Sequence, residues 1–499
     1  MKRIKTRNAM LICLLAVITL CTLVIGCSKE SAPKASPNDG PNSIKDGGIY
    51  KIINKATKRP LNMQLSGMVD GAQVWQYGDT GGFDELWRVK KQGDYYTLQS
   101  LLTPRNISIR KDSKDTGAII EVRKPDEKQS SSQLWTLKEY NGSIQIISSL
   151  SDYTLGLTEN SKKSSILPQM LTFTKDEWQL WDFKEVSLTK DLPYLLPVEG
   201  SLFHSSCPQI IKYGDTYYMF IMAPHISIKT SKDLINWTIA GTVFGDKDPS
   251  WMNSEVPGYG IWAPSVYKIK EKYYLYYCIS TSGSQNSAIG MAVNSTLDMN
   301  SPDYHWEDKG VVIRSHTGDD YNCIDPNISI DENGGVFLTF GSYWNGIYQR
   351  SIDPDTGLLL KDNSRLYHIA RRYANNGAIE APYIIKRGEY YYLFTAFNPM
   401  NNTYHNRVGR SKSIHGPYLD REGKSMLEGG GTPATQGLSE LLMPGHASVF
   451  QDKDGKYYFV SEYFRKASAS ILLIGTIHWD KEGWPVTALT PDAVKLLAK

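Results

Sequence analysis

Short apolar runs alternate with polar turns through the C-terminal part of this chain, and one pattern recurs five times. It begins CPQIIKYGDTYYMFIM at Cys207, WAPSVYKIKEKYYLYYC at Trp262, CIDPNISIDENGGVFLTF at Cys323, IEAPYIIKRGEYYYLFTA at Ile379 and GHASVFQDKDGKYYFVS at Gly445. Each segment predicts an apolar strand, a turn carrying Gly, Asp or Lys, and a second strand rich in aromatic or large apolar residues. Pro208, Pro264, Pro326 and Pro382 mark four of the starts, roughly 60 residues apart. A fixed period of that size in an all-β sequence predicts a propeller, and five starts predict five blades. The first strand of each blade lines the central axis, so residues that open different blades converge. Asp325 and Glu380 open two of the segments at equivalent positions and are expected in one pocket. Two carboxylates so placed are what hydrolysis of a glycosidic bond needs.

A shorter repeat fills residues 46–186. Glu85-Leu86-Trp87, Gln133-Leu134-Trp135 and Gln179-Leu180-Trp181 recur roughly every 45 residues. Strand-like runs precede them, and two repeats carry a turn glycine, Gly71 and Gly117. Three such units predict a β-trefoil, with the repeated tryptophans in its core. The whole chain is thus expected to be all-β, a trefoil followed by a five-bladed propeller over 192–499.

The N-terminus has a different pattern. Lys2, Arg3, Lys5 and Arg7 precede an apolar run from Met10 to Ile25, which ends Gly26-Cys27. This resembles a bacterial lipoprotein signal over 1–26, with cleavage before Cys27 and lipidation of its thiol. Residues 27–45, rich in Ser, Pro, Asn, Asp, Gly and Lys, are expected to be a flexible tether. The folded part is then expected outside the cytoplasm, at the bacterial cell surface, held to the membrane only by its anchor. No later run is long and apolar enough to span a bilayer as a helix. The formal net charge of +3 implies no polyanion or nucleic-acid partner. Cys207, Cys278 and Cys323 are too few and too odd for a disulfide framework. Nothing in the sequence calls for more than a monomer.

Residues 46–186 resemble the ricin-B-type lectins and carbohydrate-binding modules through their Q-x-W-like endings. That resemblance implies a sugar site in the first repeat only, from Asn62, Trp75 or Tyr77, and Asp84. From about Leu192 onward the chain resembles family 43 glycoside hydrolases, most closely their endo-acting arabinanases. The segments GIWAPSVYKIKEKYYLYYCIS, SAIGMAV, NCIDPNI, FGSYWNGI, AIEAPYII, VGRSKSIHGPYLDREGKSML and PGHASVF carry the likeness. It implies cleavage of α-1,5-linked arabinan, or an arabinose-bearing plant cell-wall polymer, with inversion at the anomeric carbon. By the same resemblance Glu380 is the general acid, and Asp325 modulates its pKa and orients it. Trp262, Gly283, Asn322, Ile324, Ser342, Tyr343 and Trp344 match substrate-contacting positions. His446 matches a ligand to an axial metal ion, usually calcium.

The chain departs from that family at two points. Cys207 stands where the base aspartate is expected, and Ser265 replaces the aspartate of a Trp-Ala-Pro-Asp motif. A neutral thiol is a poor base, and general-base catalysis is worth roughly 10²–10⁴-fold. Reduced activity is therefore expected. Three readings of Cys207 stay open: a weak or inactive relative that still binds arabinan, a base role passed to another carboxylate or to His204, and oxidation of the thiol to a sulfinate. An arabinofuranosidase or xylosidase specificity is a further alternative.

Overall fold

The computed structural model describes residues 44–64, 69–126, 128, 130–158, 165–401, 403–438, 441–465 and 468–499. The expected signal, Cys27 and nearly all of the tether lie outside these residues.

The N-terminal domain is a β-trefoil, with 12 strands among the described residues, from Ile49–Asn54 to Trp181–Glu185. Each repeat closes with one turn of 3-10 helix, at Phe83–Glu85, Ser131–Gln133 and Glu177–Gln179. Each turn delivers a tryptophan to the core. Trp87, Trp135 and Trp181 are fully buried, and their indole N–H groups donate to the carbonyls of Leu61, Ile107 and Leu155 at 2.8, 3.3 and 2.9 Å. The recurring motif is therefore a core device. A buried indole needs an acceptor, and in every repeat a strand carbonyl 26–28 residues upstream supplies it.

The C-terminal domain is a ring of five antiparallel sheets. Their first strands are Ser206–Tyr213, Gly260–Ile269, Asn327–Ile330, Ile379–Arg387 and Ser448–Gln451. Neighbouring first strands pack against one another around the axis. The ring is closed by the stretch before the first blade. Leu195 and Phe203 bridge to Gly475 and Ile471 of the fifth blade, while Glu199–Gly200 pairs in parallel with Asn236 and Trp237 of the first. The same stretch meets the trefoil, where the Leu195 N–H donates to Leu102 O at 2.7 Å and the buried Arg105 lies between Asp70 and Glu199.

One backbone feature repeats in all five blades. Cys207, Ala263, Asp325, Ala381 and His446 have φ of 49°, 44°, 57°, 53° and 48°. A proline follows in the first four. Left-handed backbone at a non-glycine residue costs roughly 1 kcal/mol or more. In the first, second and fourth blades the pairing register breaks across this step, at Ser206/Gln209, Trp262/Ser265 and Glu380/Tyr383. The bulge turns each first strand where it reaches the axis. It also corrects the expected equivalence of Asp325 and Glu380. Asp325 shares its register position with Cys207 and Ala381; Glu380 lies one residue earlier, in the position of Trp262. A bulge adds a residue that strand alternation cannot reveal.

Candidate active site

Because every first strand starts at one end of the ring, that end collects the turns between second and third strands and the connections entering each blade. The side chains on these turns build the site around Glu380.

Glu380 is half-buried at the start of the fourth blade. Its Oε1 accepts the Tyr404 hydroxyl at 2.8 Å and its Oε2 accepts the Ser342 hydroxyl at 3.0 Å. Burial raises its pKa, and the Asp325 charge adds to this; Tyr404, His446 and Ser342 pull the other way. Ser342 comes from the turn of the third blade, which is docked by the Tyr343 N–H on Ile379 O at 2.8 Å. Tyr404 reaches the acid by crossing Gly445: a Cβ on Gly445 would stand 1.9 Å from Tyr404 Cε1. The glycine of the Pro-Gly-His motif therefore makes room for a ring on the neighbouring blade.

Asp325 is buried. Burial pushes its pKa up to about 7, opposed by the Ala381 amide, which donates to Oδ2 at 2.9 Å. Cys207 is half-buried, and its thiol packs on Met222 Sδ at 3.8 Å. Burial first, then the negative field of Glu462 and Asp325, raises the thiol pKa well above its ordinary value. Cys207, Ala263, Asp325, Ala381 and His446 together line an axial cavity of about 20 Å³, room for a single water.

The expected substrate positions fall around the same end. Trp262 is half-buried with its indole over Gly260, where a Cβ would meet Nε1. Gly283 takes φ 75° in an open turn of the second blade. Asn322 is buried and accepts the Ser287 hydroxyl at 2.7 Å; Ile324 is buried beside Asp325. Trp344 is 39% exposed, and Tyr373, on the connection leading to Glu380, is 66% exposed. His204 is exposed, and Ser265 is buried against the Tyr267 hydroxyl at 3.2 Å.

Sequence reading missed two residues. Tyr404 lies in a turn that no repeat marks. Glu462 lies near the end of the aromatic second strand of the fifth blade, Tyr457–Tyr463. A carboxylate ending an otherwise apolar run was the available signal. It is buried, and burial holds its pKa at about 7; the Ser206 hydroxyl and Cys207 amide lower it, and Glu380 and Asp325 raise it.

Burial lowers the His446 pKa to about 4, opposed by Glu380, so its ring is neutral near pH 7. Among the described residues no group of three or more His, Cys, Asp or Glu side chains is arranged to hold a metal ion. Calcium prefers six to eight oxygen ligands. The side chains present do not form such a cage, and no step below passes through a metal.

In the trefoil, Asn62, Trp75, Tyr77 and Asp84 do come together. Asn62 and Asp84 are buried and bond one another at 3.3 Å, and Trp75 and Tyr77 stack at 5.1 Å. Tyr77 is the only one of the four that is half-exposed. A larger cavity, about 440 Å³, lies at the trefoil–propeller junction, lined by Arg88, Tyr194, Lys456 and Tyr457 among others. It holds no paired carboxylates.

Residues 203–485 match the glycosyl hydrolases family 43, and residues 42–123 match the ricin-type β-trefoil lectin domain-like family. The chain belongs to glycosyl hydrolase family 43. It is 39% identical over 295 residues to an extracellular exo-α-(1→5)-L-arabinofuranosidase of Cellvibrio japonicus, covering 56% of this chain and 84% of that one. It is 38% identical over 290 residues to an extracellular endo-α-(1→5)-L-arabinanase of Bacillus subtilis, covering 56% and 86%. Among solved structures, the α-L-arabinanase of Cellvibrio cellulosa complexed with arabinohexaose superposes with a TM-score of 0.55 at 35% identity, over 60% of this chain and 99% of that one.

Proposed function

We propose that the chain hydrolyses α-1,5-linked arabinan, acting within the polymer and inverting the anomeric centre. One observation carries this reading: Glu380, with two hydroxyl donors and a raised pKa, is set beside the buried carboxylate of Asp325. A carboxyl that keeps its proton can pass it to the leaving oxygen. The charge on Asp325 opposes ionisation of Glu380 and so holds that proton. The exposed rings of Trp344, beside the turn that carries Ser342, and Tyr373, on the connection entering the fourth blade, suit a polymer running across an open face. The names of the relatives, one exo-acting and one endo-acting, agree with the linkage. Lipidation at Cys27 would hold the enzyme at the cell surface, where the polymer is met, and both of these relatives are named extracellular.

The test is digestion of debranched α-1,5-arabinan with chromatographic sizing of the products. Mid-length oligosaccharides at early times support cleavage within the chain. Release of one short product throughout supports an exo mode on the same linkage. Intact polymer would remove the hydrolase reading and favour an arabinan-binding protein.

A further inference from the structure

An inverting hydrolase needs a base for the attacking water, and the position where it was expected holds a thiol. The Cys207 thiol packs on Met222, and its raised pKa keeps it protonated. Of the charged groups around Cys207, Glu462, from the second strand of the adjoining fifth blade, Tyr457–Tyr463, exerts the strongest negative field on the thiol. Glu462 is 1% exposed. The Ser206 hydroxyl, which donates to Ser470 Oγ at 2.8 Å, and the Cys207 amide lower its pKa, and the fields of Glu380 and Asp325 raise it. Its Oε2 is buried with no hydrogen-bond partner among the described residues. A buried carboxylate oxygen without a donor is costly, so a bare structural tie explains only half of this side chain. The free oxygen is an acceptor waiting for a donor, on the strand that pairs with Ser448–Gln451, whose Ser448 lines the axial cavity together with Cys207 and Asp325.

We infer that Glu462 is the general base, reaching from the fifth blade to serve the water that an aspartate at position 207 would otherwise serve. In the reaction, the carboxylate removes one proton from water as its oxygen attacks the anomeric carbon. The glycosidic C–O bond breaks, and the leaving oxygen takes the proton of Glu380. Both carboxyl groups return to their starting states by exchange of one proton with solvent. No other reactant is required. Cys207 then packs beside the base and takes no part in proton transfer.

This inference rests on the hydrolase reading above. The test uses the full folded chain on debranched arabinan, with Glu462→Gln, Glu462→Ala, Cys207→Asp and the double variant Cys207→Asp/Glu462→Gln. Glutamine has the same shape and keeps a carbonyl acceptor, so it preserves the packing while removing the base. We expect Glu462→Gln to melt close to the parent and to lose roughly 10²–10⁴-fold in kcat. Its KM should change little, because the base acts on water. Added formate or azide should restore part of the activity of Glu462→Ala. Cys207→Asp should restore at least about tenfold in the Glu462→Gln background, within the range of general-base catalysis. An active parent whose Glu462→Gln variant stays within about threefold overturns the inference and leaves the hydrolase reading intact. Loss of activity that neither small anions nor Cys207→Asp repairs also overturns it, because that marks a structural role. An inactive parent overturns both readings.

Discussion

The carboxylate of Asp325 accepts the backbone N–H of Ala381 at 2.9 Å, one residue beyond Glu380. A charge on the third blade is thereby fixed relative to an acid on the fourth through a main-chain bond, which thermal motion of side chains disturbs little. The hydroxyls of Ser342 and Tyr404 hold the acid from two further turns. Side chains from two blades and a glycine from a third thus place one proton.

Glu380→Gln is expected to keep the contacts with Tyr404 and Ser342 and to lose the transferable proton. On unactivated arabinan kcat should fall at least roughly 10²-fold. Affinity for arabino-oligosaccharides, read by calorimetry, should stay within about threefold of the parent. Turnover equal to the parent would reject the acid assignment.

Asp325→Asn is expected to stabilise the protein at alkaline pH. The folded-state pKa of Asp325 is raised by burial to about 7, whereas an unfolded aspartate titrates near about 3.9. Below about pH 4 both states hold the proton and the carboxyl costs nothing. As pH rises from about 4 to 7 the unfolded state loses its proton first, so stability falls; the full cost is present above about 7. Asparagine tolerates the φ of 57° and can still accept from Ala381. Urea unfolding at pH 8 should show a gain of roughly 2–4 kcal/mol that closes toward pH 4. A less stable variant at pH 8 would contradict this.

Gly445→Ala is expected to push Tyr404 off Glu380, because the new methyl runs into the tyrosine ring. Losing one hydroxyl donor should raise the Glu380 pKa further and shift the alkaline limb of the kcat profile upward. A pH–rate profile checks this; an unshifted limb with full activity would show that Tyr404 does not tune the acid.

The two repeats were legible in the sequence because each repeats a physical need. Trp87, Trp135 and Trp181 recur since each trefoil unit buries one indole and satisfies its N–H. The prolines recur next to the left-handed residue that opens four of the first strands, three of which break their ladder there. Asp325 and Glu380 were legible for the same reason, yet their register was not, since a bulge leaves no mark in the alternation. Tyr404 and Glu462 stayed hidden because each reaches the site from a second strand or a turn, where no motif repeats. The buried bond between Asn62 and Asp84 was equally hidden, because composition does not tell a ligand contact from an internal one.

Trp181→Phe is expected to destabilise the trefoil by about 2–4 kcal/mol, through lost volume and an unpaired Leu155 carbonyl. Arabinan turnover at 25 °C should be unchanged, since the core of the trefoil does not touch Glu380. Denaturant melts and initial rates check both. Unchanged stability would contradict the core role of the repeat.

The most direct measurement is proton NMR of the first products that the purified chain releases from debranched α-1,5-arabinan. Glu380 as acid with a separate base on the opposite side of the sugar requires a single displacement by water. New reducing ends should therefore appear first in the β-configuration and equilibrate afterwards, and Glu380→Gln should release none. First products in the α-configuration, or no products from the parent, would contradict the account.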